Sequence, residues 1–331
     1  MSRKSKRRHR MLSVRSLLLL VILNILLCSC GMGNSADGVT SLYDTYQSSY
    51  TTGRVQSSFF AQNLCKTSDI NFGTSSVNSS FAGAAGVFNM DTREVVYSQN
   101  LFEKLYPAST TKIMTAYIII RSCDLDDQVT ISENAANPGA DSSVCGLKEG
   151  DVITVRDLLY GLLLPSGNDA AIALAEYYSG SVDAFVELMN ETAAQLGASG
   201  THFANSCGLP DDDHYTTVYD MYLIYSQAVL LQEFVTISGT DRYHAVYTNA
   251  KGNEVSNTWE NTCRYITGYV DLPDGFTALS AKTGTTNAAG YCLCLYTENA
   301  KQQRIISIVF KGDNRADMYI LMNQILKGFA N

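Results

Sequence analysis

The apolar period of this chain changes part-way along it, and that change restricts the fold more than any other feature. In "TVRDLLYGLLL" (154–164), "DAAIALAEYYSG" (169–180), "SVDAFVELMNETAAQLG" (181–197) and "TVYDMYLIYSQAVLL" (217–231), apolar residues recur three and four apart, as on the buried face of a helix. From Ala278 onward "ALSAKTGTT", "AGYCLCLYTEN" and "RIISIVFKG" alternate as three consecutive strands, and "RADMYILMNQILKGF" closes as a helix. Near the other end, "AAGVFNMDTREVVYSQN" (84–100) reads as a hairpin around a polar turn. Strands at both ends of a helical block predict a mixed α/β (α+β) fold: one antiparallel sheet flanked by helices, with a helical subdomain. An apolar content of 46% and a charged content of 17% fit a folded chain, and 331 residues leave room for one large domain or two small ones.

The first thirty residues differ from the rest. They hold seven Lys/Arg and no acid, so with a net charge of −8 the remainder carries −15. An acidic body argues against nucleic acid as a partner, since that binding rests on neutralising phosphates. It also argues against adsorption to anionic lipid by charge alone. "LLLLVILNILL" (17–27) is too short to cross a bilayer but suits the apolar core of a signal peptide. The run ends in "LCSCG", in which Leu27, Ser29 and Cys30 resemble the lipobox of bacterial lipoproteins, with Cys30 as the lipidated residue and Cys28 as a departure. Lipidation at Cys30 and an uncleaved anchor reaching back to Met11 both stay open, and either exports the chain to the membrane's outer face. Residues 31–80, rich in Ser, Thr, Gly and Asn, read as a flexible spacer, leaving 81–331 as the folded domain.

Beyond the lipobox, Cys65, Cys123, Cys145, Cys207, Cys263, Cys292 and Cys294 are odd in number and scattered, with no Cys-x-x-Cys and no histidine at ligand spacing. That speaks against a disulfide framework and against zinc or any other metal, and no cofactor is expected. Small buried hydrophobes is the expected role.

"PASTTKIMTAYIII" (107–120) poses a sharper question. Pro107 can open a helix and Ser109 or Thr110 can cap it. Lys112, however, sits one turn after Ser109 at the buried end of the run, where an ammonium is costly without a partner or a task. Alone, Ser-x-x-Lys reads as a capped helix whose lysine reaches solvent. It is not alone: "STTK" (109–112), "SGN" (166–168) and "KTG" (282–284) stand in order, on a helix start, a break between helices and a late strand.

This set resembles the signature of the penicillin-recognising serine acyl transferases. Its residue types follow from the chemistry. A serine hydroxyl needs a base within reach, and a lysine three residues along a helix shares its face. To be a base, Lys112 must lose its proton, which burial and a second ammonium at Lys282 both favour. Ser166 and Asn168 can relay a proton and hold the substrate amide around a tight turn at Gly167. Gly284 can let the substrate backbone lie close, and the N–H groups of Ser109 and Thr285 can form an oxyanion hole.

The stretches "VFNMDTREVVYSQNLFEKLYPASTTKIMTA", "GLLLPSGNDAAIALAE", "THFANSCGLPDDDHYTT" and "AKTGTTNAAGYCL" are similar to low-molecular-mass D-alanyl-D-alanine carboxypeptidases, from about residue 82 onward. The resemblance implies a β-lactamase/transpeptidase-like fold and a Ser109 acyl-enzyme. It also implies peptidoglycan stem peptides ending in D-Ala-D-Ala as substrate, β-lactams as covalent inhibitors, and Lys282, Thr283, Gly284 and Thr285 at the substrate. Arg315 corresponds to an arginine that binds the terminal carboxylate; an exposed helix-start arginine is the alternative. Many members carry a further β-sandwich domain, which is not expected here, and Thr285 stands where some have histidine.

His214 is expected to be a structural hydrogen-bonding residue, His202 and His244 surface or structural, and Asp211–Asp213 a solvated loop. A β-lactamase is the nearest rival, but class A members activate water with a loop glutamate, and "THFANSCGLPDDDHYTT" has none. A non-catalytic penicillin-sensing or wall-binding protein would not need Ser109, Lys112, Ser166, Asn168 and Lys282 together.

Overall fold

The computed structural model describes residues 64–65, 67–140 and 142–331. Strands β1 (Ala82–Asn89) and β2 (Glu94–Gln99) form the expected hairpin, and a 3-10 turn over Ala108–Thr111 leads into α1 (Lys112–Ser122). Next come β3 (Gln128–Thr130), the short α2 (Glu133–Ala136), β4 (Val152–Thr154) and α3 (Val155–Leu163). The helical block continues through α4 (Asn168–Ser179), α5 (Val182–Gln195), α6 (Val218–Ala228) and α7 (Gln232–Ser238). A hairpin of β5 (Arg242–Thr248) and β6 (Glu254–Glu260) precedes the final β7 (Thr277–Thr286), β8 (Gly290–Glu298), β9 (Arg304–Gly312) and α8 (Arg315–Phe329).

The hairpin and the C-terminal strands make one antiparallel sheet in the order β2-β1-β9-β8-β7. Both of its faces are buried. Phe88, Cys292, Cys294, Ile306, Ile308 and Phe310 join the core shared with the helical block. Val87, Leu293, Leu295, Ile305 and Val309 join a second core with Met318, Leu321, Met322 and Ile325 of α8. Two apolar faces explain why β8 and β9 read as nearly continuous apolar runs. At the centre α1 is apolar on almost every side, with Ile113, Met114, Ala116, Tyr117, Ile118 and Ile119 all buried. Replacing such a residue, Ile119 for example, by Ala would cost about 2–5 kcal/mol.

Two expectations need correction. A second antiparallel sheet, β3-β4-β5-β6, lies among the described residues where the sequence had suggested one sheet only. "RYHAVYT" and "EVSNTWE" do alternate, paired from Arg242↔Glu260 to Thr248↔Glu254, but one face is largely exposed and polar, which mutes the signal. This sheet braces the helical block: Tyr243 stacks on Tyr160 of α3 with centroids 3.6 Å apart, and Trp259 Nε1 donates to the Cys145 carbonyl at 2.9 Å.

The spacer reading of 31–80 also runs too far. Cys65 is fully buried, its N–H donates to Tyr222 Oη at 3.3 Å, and its carbonyl accepts from Tyr219 Oη at 2.8 Å. Phe72 pairs with Ser98 of β2, and 3-10 turns at Thr74–Ser76 and Ser79–Phe81 complete the approach to β1. These anchors have no regular period, so composition concealed them. The leader, Cys30 and the rest of the spacer lie outside the described residues. Among the described residues no helix is long and apolar enough to cross a membrane, and there is no β-sandwich.

Candidate active site

The turn that carries Ser109 is strained and held from three sides. Ala108 has φ +48°, a left-handed conformation that costs free energy for a residue with a Cβ. Gly208, at φ +92°, packs so closely that a Cβ there would meet the Ala108 carbonyl oxygen at 1.9 Å. Neither Ser109 nor Thr110 caps α1 with its side chain, against expectation. Thr110 Oγ1 donates to the Pro107 carbonyl (2.7 Å) and Thr111 Oγ1 to that of Ala108 (2.8 Å), tightening the 3-10 turn instead.

His214 supports this turn from below, as a structural residue. Its Nδ1 accepts the Ala204 N–H at 3.0 Å, which places the ring proton on Nε2, facing Thr111 Oγ1 at 2.8 Å. Burial pushes the imidazole down to about 4, so it is neutral at neutral pH. His202 and His244 are exposed; Nδ1 of the first contacts the Asp213 carbonyl and that of the second Thr258 Oγ1. Asp211 to Asp213 form an exposed loop.

Lys112 is completely buried at the start of α1. Its Nζ lies 3.1 Å from Ser109 Oγ, 2.7 Å from Asn168 Oδ1 and 2.9 Å from the Cys207 carbonyl oxygen. Burial pushes its pKa down to about 8, opposed by the side chains of Cys207 and Asp169. Across the cleft, Lys282 of β7 is also buried, 2.9 Å from both Ser166 Oγ and its neighbour's carbonyl at Thr283. Its pKa falls well below the usual lysine range, through burial first and then through the charge of Lys112. Burial is thus the leading cause at both lysines; the charge of Lys282, which the sequence reading named beside burial, is not among the leading causes at Lys112.

The Ser-Gly-Asn element turns between α3 and α4, with Ser166 at φ +66°. Asn168 spends its Oδ1 on Lys112, and its N–H donates to the Ser143 carbonyl at 2.7 Å. The next residue, Asp169, is buried and accepts from the N–H groups of Cys145, Gly146 and Leu147 at 3.0, 2.9 and 3.1 Å. It pins that loop beside the turn.

β7 is an edge strand of its sheet, so a flank of its backbone is open to an extended ligand. At Gly284 an added Cβ would meet the Ser109 nitrogen at 2.9 Å and the Pro107 carbonyl at 3.0 Å. This glycine therefore admits the protein's own Ser109 turn at close range. A cleft of about 160 Å³ results, lined by Ser109, Ser166, Thr283, Gly284, Thr285 and Arg315. Lys112, Asn168 and Lys282 lie beneath its floor. Arg315 opens α8 after the Asn314 cap, its guanidinium 5.9 Å from the centre of the Tyr291 ring, and it is exposed.

Sequence reasoning missed Ser143 and Thr262 on the cleft wall, the Cys207 carbonyl, Gly208 and Asp169. Only Asp169, adjoining a motif, carried a usable signal. Among the described residues no cluster of His, Cys, Asp and Glu is arranged to hold a metal, and the seven described cysteines are unpaired. Six are buried, as expected of small hydrophobes, and burial pushes the Cys292 thiol up to about 12.

The profile of Peptidase_S11, D-alanyl-D-alanine carboxypeptidase, matches residues 72–314. The chain belongs to this family. It is 37% identical to the D-alanyl-D-alanine carboxypeptidase DacF of Bacillus subtilis over 69% of its own length and 57% of the relative's. With DacD of Escherichia coli it shares 33% identity over 70% of its length and 59% of the relative's. It thus spans less than two thirds of these curated relatives. The solved Streptomyces K15 DD-transpeptidase is 32% identical with a TM-score of 0.67, covering 74% of this chain and 96% of that one. The shared fold is the mixed α/β arrangement of an antiparallel sheet and helices described above.

Proposed function

We propose that the chain is an exported serine D-Ala-D-Ala carboxypeptidase acting on peptidoglycan stem peptides. The observation that carries this reading is the pair of Ser109 Oγ and Lys112 Nζ, 3.1 Å apart, with burial holding the amine near a pKa of about 8. Neutral Lys112 takes the Ser109 proton as Oγ attacks the carbonyl of the penultimate D-alanine. The N–H groups of Ser109 and Thr285 donate to the oxyanion. The Ser166 hydroxyl relays that proton, giving its own to the leaving amine and taking the one held by Lys112, and terminal D-alanine departs as Ser109 becomes an ester. Water then attacks the ester while neutral Lys112 takes its proton, and Lys112 returns that proton to Ser109 Oγ as the shortened peptide leaves. Asn168, whose Oδ1 is occupied by Lys112, keeps its NH2 for the substrate amide. Thr283 and Arg315 hold the terminal carboxylate, for which a guanidinium fork is suited. β-Lactams acylate the same hydroxyl.

Against a β-lactamase, the 201–217 stretch reaches the nucleophile through the Cys207 carbonyl and Gly208 and brings no glutamate to it. For position in the cell, the basic start, the short apolar run and the lipobox-like "LCSC" support export and a lipid on Cys30. Mass analysis of the mature N-terminus separates this from an uncleaved anchor. The activity is tested by incubation with a pentapeptide ending in D-Ala-D-Ala. Loss of one D-alanine is expected, and an unchanged peptide would refute the reading.

A further inference from the structure

Asp169, the residue after Ser-Gly-Asn, is a buried carboxylate that the proposed mechanism does not use. Its Oδ2 accepts the N–H groups of Gly146 and Leu147 at 2.9 and 3.1 Å, and its Oδ1 those of Cys145 and Ala170 at 3.0 and 2.9 Å. The Cys145 thiol donates to Oδ1 as well, at 3.3 Å. Every group that meets this side chain is a donor, which suits the acceptor-only, ionised form. The carboxylate also lies against the Ser-Gly-Asn turn, since a Cβ added at Gly167 would meet Oδ1 at 2.5 Å.

Lys112 presents the complementary problem. Its three partners, Ser109 Oγ, Asn168 Oδ1 and the Cys207 carbonyl, are all uncharged. Once the amine has taken the Ser109 proton, a buried ammonium stands with no counter-charge in contact, and Lys282 adds a like charge from β7. Among the described residues neither Lys112 nor Asp169 takes part in an ion pair. The titratable groups around the amine are Cys207 on the loop before Gly208, Asp169 on α4, Cys145 on the loop that Asp169 pins, and Lys282 on β7. His214, behind Thr111, is neutral at neutral pH. Burial pushes Lys112 down to about 8, and Cys207, Asp169 and Cys145 oppose it. A thiol opposes it only after losing its own proton, and burial and Asp169 push the Cys145 thiol well above its usual range. Asp169 is the carboxylate of the set.

Resting on the serine–lysine reading above, we propose that Asp169 is a positioning residue that acts through Lys112. Its carboxylate, turned toward its own N–H donors and out of direct contact, is the fixed counter-charge for the ammonium formed during acylation. The separation matters. A direct ion pair would hold the proton on Lys112 and stop it serving as base. With no anion nearby, the amine would be too weak a base to draw the proton from Ser109.

The test follows acylation by a β-lactam from about pH 6 to about pH 10. In Asp169→Asn the midpoint of the rise should move to lower pH by about one pH unit, and the plateau rate should fall about threefold. Asp169→Glu keeps the charge and should keep the wild-type midpoint, whatever the longer side chain does to the rate. Cys207→Ala keeps the carbonyl and should move the midpoint less than Asp169→Asn does. An unmoved midpoint in Asp169→Asn, or an equal movement in Asp169→Glu, would overturn the proposal, because purely structural support changes the rate and not the pH at which it is half-maximal. Asp169→Ser, which leaves room for water among the N–H groups, is the second neutral variant. Failure of both neutral variants to fold by circular dichroism would make the carboxylate a folding requirement and overturn its role at Lys112. Wild type that is acylated with the expected shift in Asp169→Asn, yet releases no D-alanine from a pentapeptide, would remove the carboxypeptidase reading and support this one. Wild type that is not acylated at all would remove both.

Discussion

The two walls of the cleft each bury a lysine, and the difference between the two sites shows how one residue type serves two tasks. Lys112, on the helical-block wall, meets three acceptors from three segments: the Ser109 turn, the start of α4 and the Cys207 loop. Lys282, on the sheet wall, meets one hydroxyl across the cleft and a carbonyl of its own strand. The first is fixed by convergence and touches Ser109, so in the proposed mechanism its value lies in being able to shed its proton and take that of the hydroxyl. The second ties the walls together, so its value lies in reach. Burial is common to both; what separates them is the contact of one with Ser109 and the bridge the other makes between an acceptor on each side.

The largest effect should come from replacing each lysine by arginine, whose guanidinium keeps its proton. Lys112→Arg should slow β-lactam acylation by about 10³- to 10⁴-fold, the upper range for loss of a general base. Lys282→Arg keeps a cation that can still reach Ser166 and should lose only about tenfold. Equal losses would erase the distinction between the walls. In wild type the acylation rate should rise with pH as neutral Lys112 accumulates, levelling off above about 8.

A smaller effect compares the glycines that flank the nucleophile turn, Gly208 from the helical block and Gly284 from the sheet. Gly208→Ala combines a positive φ with a 1.9 Å approach to backbone and should destabilise by about 4 kcal/mol in urea unfolding. Gly284→Ala meets its neighbours at 2.9–3.0 Å and should cost about 2 kcal/mol while still displacing Ser109. The reverse order would place the main support of the turn in the sheet.

Sequence reached far into the sheet wall and less far into the other. β8 and β9 announce themselves because two buried faces demand apolar residues nearly throughout, and Lys-Thr-Gly sits at a fixed place in that strand system. On the helical-block side the motifs locate Ser109, Lys112, Ser166 and Asn168, yet their supports are mostly backbone groups. The Cys207 carbonyl and the N–H groups gathered by Asp169 have no side-chain signature, and Gly208 looks like any loop glycine. The second sheet escaped because its exposed face alternates polar residues. The anchored residues 64–65 and 67–80 escaped because their few anchors follow no period.

A pH effect is confined to the helical-block wall. His214 has a folded pKa of about 4 against an unfolded value near 6.5, so the unfolded chain takes up the proton first. The His214 contribution to stability should therefore be flat above about pH 6.5 and fall as pH drops from there to about 4, by up to about 3 kcal/mol. His214→Asn should remove that slope in urea unfolding at several pH values. An unchanged slope would show that other groups carry the acid sensitivity, and that the ring under the Ser109 turn is not the one that titrates.

The central claim is that Ser109, activated by the buried amine beside it, is the nucleophile. Its most direct measurement is peptide mapping by mass spectrometry after incubation with a β-lactam, on wild type and on Ser109→Ala. We expect one acyl group on Ser109 in wild type and none on the variant. An adduct on Ser166, which also has a buried lysine at hydrogen-bond distance, or an adduct that persists in folded Ser109→Ala, would contradict the account.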